Sequence, residues 1–157
     1  MKSLFIRLAR LEDLKAIERL SDIVQAIHAT SRPDVFRMPV DTEGRRAFFS
    51  ASISDDRWRV WLASKDERVL AFSMSEVIDK SGPIRSPHFE GHLHQICVDP
   101  ADRRQGVGMA LVQHTVRDLK ARGVDRITVN YWNFNTASRA LFEAAGFAPV
   151  ETKAELL

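Results

Sequence analysis

The chain is poor in the residues that build disulfides and metal sites, and this scarcity excludes several classes of protein. Its 157 residues include one cysteine, Cys97, so neither an internal disulfide nor a cysteine-rich zinc site is possible. His28, His88 and His114 show no metal-ligand spacing with one another or with a carboxylate. We therefore expect no bound metal.

Long apolar runs are also missing: none reaches the length of a membrane span, and the charged N-terminal residues do not read as a signal peptide. Hydrophobic residues make up 45% of the chain and charged residues 28%, which is typical of a globular protein and excludes disorder. The net charge is only +2, and the lysines and arginines are scattered. We expect one domain over residues 1–157, cytoplasmic, binding neither membrane nor nucleic acid.

Apolar periodicity predicts ten elements in the order β-α-α-β-β-β-α-β-α-β, an α/β sandwich with a mixed sheet. The predicted strands are residues 4–8, 57–63, 69–78, 92–98, 126–132 and 147–151. The predicted helices are residues 12–28, 42–54 and 136–145, and one that runs from a glycine loop to Gly123. Residues 79–91 read as a loop long enough to form a flap over a site.

The most informative stretch is residues 93–109, LHQICVDPADRRQGVGM, in which an apolar strand passes through a turn into a helix. The first amides of a helix lack intrahelical partners and carry partial positive charge, so such a junction can hold phosphate. Gly106 and Gly108 let the backbone approach a ligand, and Arg103 and Arg104 add charged donors. The pattern predicts a pyrophosphate site, although a tight strand–helix turn would need similar glycines.

Two better-known phosphate loops fit this stretch poorly. A Walker loop needs Lys and Ser/Thr after the last glycine, but Met109 follows Gly108. A dinucleotide fingerprint needs a third glycine where Leu111 stands. A nucleotide-binding regulator therefore remains only a third interpretation.

The spacing Arg103-x-x-Gly106-x-Gly108 resembles the acyl-CoA loop of the GCN5-related N-acetyltransferases, the GNAT superfamily. Residues 135–147, NTASRALFEAAGF, resemble the helix of that family that begins with Asn and ends in Gly-Phe. Both motifs lie on the expected elements in the expected order. The resemblance implies the GNAT acyl-CoA N-acyltransferase fold, a mixed and mostly antiparallel sheet flanked by helices, with two strands splayed at the acyl-CoA site.

The same resemblance implies acetyl-CoA as co-substrate, with its pantetheine arm entering between strands 92–98 and 126–132. The Val98 amide would then donate to the thioester carbonyl and stabilise the oxyanion. Amides of residues 104–109 would take the pyrophosphate, and Asn135 and Ser138 would reach the pantetheine or phosphate side. The implied cofactor-binding residues are Ile96, Cys97, Val98, Arg103, Arg104, Gln105, Gly106, Val107, Gly108, Met109, Asn135, Ser138 and Phe142.

An attacking amine must lose a proton, and the candidate bases are Glu90, His92 and His94. With the Val98 amide as oxyanion donor, they make up the predicted catalytic groups. His92 and His94 share a strand face, and an unperturbed histidine pKa near 6.5 suits a base at neutral pH. His92-Leu-His94 also resembles the His-x-His of arylalkylamine N-acetyltransferases. Alternatively, the two histidines are only packed strand residues and Glu90 is a solvated loop charge. Glu76 is a further candidate base if the histidines play no part.

One position departs from the family pattern: Phe142 stands where many members have a tyrosine that protonates the leaving thiolate. Tyr131 or water could substitute, or the thiolate could leave unassisted. Cys97 lacks any feature that would activate it as an acyl carrier. The resemblance therefore implies an acetyl-CoA-dependent N-acetyltransferase, acting on a primary amine of a small molecule or peptide by direct attack in a ternary complex. A non-catalytic acyl-CoA-binding module or sensor is the alternative.

The acceptor side is expected near residues 28–36 and in the 79–91 loop, with the identity of the amine left open. Only one strand, residues 147–151, is expected after the last helix, where the family fold usually closes with a hairpin. A sheet edge would then lack a partner, and proteins seldom leave such an edge bare. This predicts a homodimer, with the C-terminal tail at or near the interface.

Overall fold

A computed structural model describes residues 3–156 and gives an α/β sandwich in which helices cover both faces of one sheet. The strands are β1 (Phe5–Leu8), β2 (Trp58–Lys65), β3 (Arg68–Asp79), β4 (Phe89–Val98) and β5 (Arg126–Val129). The α-helices are α1 (Leu14–Ser31), α2 (Thr42–Ser54), α3 (Val107–Ala121) and α4 (Thr136–Ala144). Single 3₁₀ turns at Leu11–Asp13 and Pro100–Asp102 lead into α1 and the glycine loop.

The sheet follows chain order, β1-β2-β3-β4-β5, with antiparallel pairing everywhere except between β4 and β5. Short connections allow β2, β3 and β4 to pair antiparallel, whereas α3 carries the chain across the sheet to make β5 parallel to β4. The predicted mixed and mostly antiparallel sheet is therefore confirmed.

Two layers of apolar side chains fill the sandwich. On one face, α1 and α2 contribute Ile17, Leu20 and Phe49, which pack with Leu62 and Phe72 of the sheet. On the other face, α3 and α4 pack in two clusters that include Leu70, Val107, Leu111, Leu93, Val112 and Phe142. Burial of these side chains, each stabilising by about 1.5–3 kcal/mol, holds the helices against the sheet.

A β-bulge at His94 changes the direction of β4. Gln95 pairs with Met74 and Leu93 with Ser75, which leaves His94 as the extra residue on β4. As a result Leu93 and Cys97, four residues apart, contact opposite helix layers instead of the same one. The bulge thus reverses, in the middle of β4, which alternate side chains point to each face of the sheet.

The pairing of β4 with β5 stops beside this bulge, at Leu93 and Val129. β4 continues to Val98 beside β3 alone, so the two central strands part. The predicted strand 126–132 is therefore too long: residues 130–132 leave the sheet, and Trp132 contacts the rings of Phe36 and Phe134 instead.

The predicted 79–91 loop is present but shorter, because β3 and β4 pair as far as Asp79 and Phe89 and leave residues 80–88 outside the strands. One further sequence prediction is wrong. The strand 147–151 is absent: residues 147–156 are irregular, and Pro149 could not donate to a ladder. Within the described residues, moreover, no helix has the length and apolarity needed to span a membrane.

Gly91 offers a direct test of the close approach of α3 to β4, since a Cβ there would lie 2.9 Å from a Leu119 methyl carbon. Leu119 is fully buried and cannot swing away. We expect Gly91→Ala to lower the free energy of unfolding by about 1–3 kcal/mol through overpacking. Urea unfolding would measure this change. Gly82→Ala is the matched control because its Cβ meets open space, and equal losses in the two variants would contradict the packing argument.

Candidate active site

The open side of β4 presents a backbone amide to the gap between the strands. Asp99 donates its N–H to the carbonyl oxygen of Leu70 at 2.7 Å, which makes these two residues a hydrogen-bonded antiparallel pair. Because such pairs alternate, Val98, opposite Ala71, turns its N–H and C=O away from β3. They face the side of β4 from which β5 has departed.

The N-terminus of α3 lies at the end of this gap. Gly106 caps the helix with φ of 79°, and Arg104 precedes it with φ of 63°, both left-handed conformations. Ala110 donates to the Gly106 carbonyl at 3.0 Å as the first intrahelical bond, so the amides of residues 107–109 have no acceptor within the helix. These amides and the helix dipole form an anion-binding end.

Gly108 has a packing role that the sequence did not reveal. A Cβ at this position would lie 3.4 Å from both Val98 Cγ2 and Leu141 Cδ2. The first turn of α3 therefore lies in van der Waals range of β4 and α4, and a larger side chain at this position would press on both. Loss of ligand binding on substitution of Gly108 could arise from this contact as well as from a bound phosphate.

Two carboxylates tie the glycine loop to the rest of the protein. The half-exposed Arg68 donates one nitrogen to both oxygens of buried Asp102, at 2.7 and 2.6 Å. Arg19 of α1 donates to Asp99 at 2.6 Å, and this bond is the main cause of a lowered pKa of Asp99. Sequence reasoning missed both pairs, because partners 34 and 80 residues apart share no local pattern.

The predicted cofactor-binding residues are exposed, half-buried or buried. The exposed group comprises Arg103, Arg104, Gln105 and Gly106, and Ile96, Val98, Gly108, Met109, Asn135 and Ser138 are half-buried. Asn135 caps α4 by accepting from the Ser138 amide at 3.1 Å, the role that its position as N-cap allows. Arg103 donates through Nε to the Val98 carbonyl at 3.1 Å.

The side chains of Val107, Cys97 and Phe142 are buried and do not line the gap. Cys97 Sγ donates to the Leu20 carbonyl at 3.2 Å on the α1 side, and burial raises its pKa to about 11. Phe142 stacks on Tyr131 with ring centroids 6.0 Å apart. Any contact of Cys97 with a ligand must therefore use its backbone.

The candidate bases meet on the face of the sheet that α1 and α2 cover. The rings of His92 and His94 lie 4.6 Å apart, in agreement with their predicted common face. His94 Nε2 is 3.1 Å from Glu76 Oε2, and His92 Nδ1 is 2.8 Å from Thr128 Oγ1. Thr128 in turn donates to Glu90 Oε1 at 2.8 Å.

His92 is tuned toward its neutral form. Burial is the main cause of a pKa below the ordinary value, and the neighbouring His94 lowers the pKa further. Glu90 and Glu76 oppose this shift without reversing it. A neutral imidazole at pH 7 can accept a proton, as a general base must.

An aromatic cluster borders the expected acceptor side. The ring of His28 stacks on Phe36 at 4.7 Å, and Phe36 meets Trp132 at 5.5 Å. The Arg32 guanidinium lies 5.3 Å from the Trp132 ring centroid and donates to Glu155 of the irregular C-terminal segment. The described portion of the chain contains no cluster of histidine, cysteine or carboxylate side chains that could hold a metal ion.

Comparison with known proteins agrees with this geometry. A model of the acetyltransferase (GNAT) family matches residues 22–147, most of the sequence, so the chain belongs to that family. The fold recurs in a mutant of the BH1408 protein from Bacillus halodurans, with a TM-score of 0.90, 23% identity and 98% of each chain covered. It recurs in the aminoglycoside N-acetyltransferase AAC(6')-Iy in complex with CoA, with a TM-score of 0.81, 17% identity, and 100% of this chain and 95% of that one covered.

Sequence relatives are acetyltransferases of different kinds. The ribosomal protein bS18-alanine N-acetyltransferase of Escherichia coli (strain K12) is 28% identical over 127 residues, which are 81% of this chain and 75% of that protein. Mycothiol acetyltransferase of Beutenbergia cavernae is 38% identical over 65 residues, 41% of this chain. The match spans only 22% of the length of the mycothiol enzyme. The membership of the family supports an acyltransferase.

The tie between Arg68 and Asp102 should control how well the glycine loop is formed. We expect Asp102→Asn to cost about 1–3 kcal/mol of stability and to weaken coenzyme A binding, because the bond from Arg68 loses one acceptor oxygen and the charge of the buried carboxylate. Urea unfolding and titration calorimetry would measure the two effects. Glu143→Gln is the control: its exposed i,i+4 pair with Arg139 is worth only about 0.2–0.5 kcal/mol. Unaltered affinity in a folded Asp102→Asn variant would show that the loop does not depend on this tie.

Proposed function

We propose that this protein transfers the acetyl group of acetyl-CoA to a primary amine by direct attack in a ternary complex. The observation that carries the proposal is the splay of β4 from β5, with the Val98 amide turned into the gap. The anion-binding end of α3 and a neutral His92 belong to the same strand–loop–helix unit. Membership of the acetyltransferase family supports this combination of roles.

The chain's residues suit acetyl-CoA, which would bring the acyl group as a thioester. Amides of residues 104–109 take the pyrophosphate, with Arg104 adding charge. Asn135 and Ser138 reach the pantetheine or phosphate side at the start of α4. The Val98 N–H donates to the thioester carbonyl and stabilises the negative charge that develops as the amine attacks. Ile96, Cys97 and Val98 border the arm through their backbone.

The proton of the amine goes to the histidine pair. His92 accepts it at Nε2, directly or through water, while His94 stays paired with Glu76 beside it. Phe142 has no proton to give and is buried, so no acid from that position serves the leaving group. An ordinary thiol pKa of about 8.5 lets the thiolate leave without one.

The acceptor is a primary amine of a small molecule or peptide. Relatives named for a ribosomal alanine and for mycothiol, and a structural neighbour named for aminoglycosides, show that this fold serves different acceptors. We place the acceptor beside the aromatic cluster of His28, Phe36 and Trp132. A non-catalytic acyl-CoA sensor is the second candidate, favoured by Phe142 in place of the usual tyrosine.

Coenzyme A release from acetyl-CoA with a panel of amines tests the proposal and separates it from the sensor. The rate should fall as pH drops through the lowered pKa of His92, below its ordinary value near 6.5, because a protonated imidazole cannot accept a proton. Changing both His92 and His94 to Gln should reduce turnover by about 10²–10⁴-fold, most strongly below pH 8 and above the pKa of His92. Coenzyme A binding without turnover for any amine would favour the sensor. A pH–rate profile that the double change leaves intact would remove the pair from the mechanism.

We also propose a cytoplasmic homodimer. In the sheet formed by residues 3–156, β5 is an outer strand with no neighbour beyond it, and a second copy would cover that edge. Glu155 pairs with Arg32 of its own chain, so the strand edge is the better candidate for the contact than the tail. Light scattering should give twice the 17.8 kDa chain mass at micromolar concentration. A monomer mass would rule the dimer out.

A further inference from the structure

A residue of β5 joins two of the predicted catalytic groups on β4, Glu90 and His92. Thr128 lies directly opposite His92 in the parallel β4–β5 pairing, and Glu90 lies two residues before His92. The Thr128 hydroxyl is 2.8 Å from His92 Nδ1 and 2.8 Å from Glu90 Oε1. The three groups form a continuous chain across the last paired residues before the strands separate.

Counting protons along this chain decides the tautomer of His92. A carboxylate only accepts hydrogen bonds, so the Thr128 hydroxyl must donate its single proton to Glu90. The Thr128 oxygen is then left as an acceptor for His92, and Nδ1 must carry the proton. In the neutral ring, the other nitrogen, Nε2, therefore keeps its lone pair.

We propose that Thr128 and Glu90 are positioning residues that hold His92 in its Nδ1–H tautomer, so that Nε2 is free to act as the base. The inference rests on the proposed function and deepens it. Glu90 becomes the outer end of the chain instead of the group that touches the amine. When Nε2 takes the amine's proton, Nδ1–H remains bonded to Thr128, whose hydroxyl remains bonded to Glu90.

The charged groups around His92 set the direction of the pH effects. His94 and Lys80 lower the pKa of His92, whereas Glu90 and Glu76 raise it. Removing the charge of Glu90 should therefore lower the pKa further. The same substitution would abolish activity if Glu90 were itself the base.

Thr128→Val and Thr128→Ser form a matched pair for the test. Valine keeps the branched shape suited to a strand and removes the hydroxyl, while serine keeps the hydroxyl. Long-range ¹H–¹⁵N NMR of the histidine side chains, at a pH above the pKa of His92, reads the tautomer of the free protein. We expect Nδ1–H in the wild type and in Thr128→Ser, and a shift toward Nε2–H in Thr128→Val.

Kinetics with the same variants provide the second measurement. Thr128→Val should lower kcat by about 10- to 100-fold, the equivalent of one hydrogen bond to a charged group, with KM for the amine little changed. Thr128→Ser should restore most of the loss. Glu90→Gln keeps an acceptor oxygen for Thr128 but loses the charge, so it should lower kcat less than Thr128→Val does and move the acid limb of the pH–rate profile to lower pH.

The outcomes separate this inference from the proposed function. Nε2–H in the wild type, or equal tautomers in the valine and serine variants, would overturn the positioning role whether or not the protein acetylates amines. Loss of turnover in Glu90→Gln without any acid limb would overturn it in favour of Glu90 as the base. If NMR gave the expected tautomers but the protein acetylated no amine, the proposed function would be rejected and the positioning role would stand. Unfolding curves for each variant confirm that the compared proteins are folded.

Discussion

The extra residue in β4 is the constraint on which the rest of the site depends. An antiparallel ladder cannot absorb an additional residue without bending, and at His94 the bend coincides with the last pair that β4 makes with β5. Beyond that point Val98 has β3 on one side and no paired strand on the other. The backbone groups that a regular sheet would have consumed in its own hydrogen bonds are thereby left facing a gap.

The groups around the gap are suited to stabilise negative charge. The Val98 amide and the first amides of α3 are fixed dipoles that need no reorganisation when charge develops. Arg68 and Arg19 act indirectly, since they hold Asp102 and Asp99 and so fix the loop that leads into α3. The histidine pair lies on the same strand, with His92 half-buried and His94 exposed. The stabilisation of negative charge at the gap therefore comes mainly from oriented backbone amides.

Local patterns predicted most of the fold and part of the site. The strand–glycine loop–helix unit, the N-cap Asn135 and the shared face of His92 and His94 all follow from residues close together in the chain. Thr128 and the Arg68–Asp102 tie depend on register between distant segments, and the bulge depends on where two strands pack. The strand predicted at 147–151 failed because Pro149 cannot donate to a ladder and because the local sequence does not show whether a partner strand is available. The placement of the cofactor-binding residues remains a prediction.

The burial of Cys97 has a practical consequence. With a pKa of about 11, its thiol is a thiolate in only about one molecule in a thousand at pH 8, and the sulfur is enclosed between the sheet and α1. The chain contains no other cysteine. A chromogenic thiol reagent added to the folded protein would thus meet almost no background from the polypeptide itself. Each sulfhydryl that the reagent detects during the proposed reaction would therefore belong to released coenzyme A.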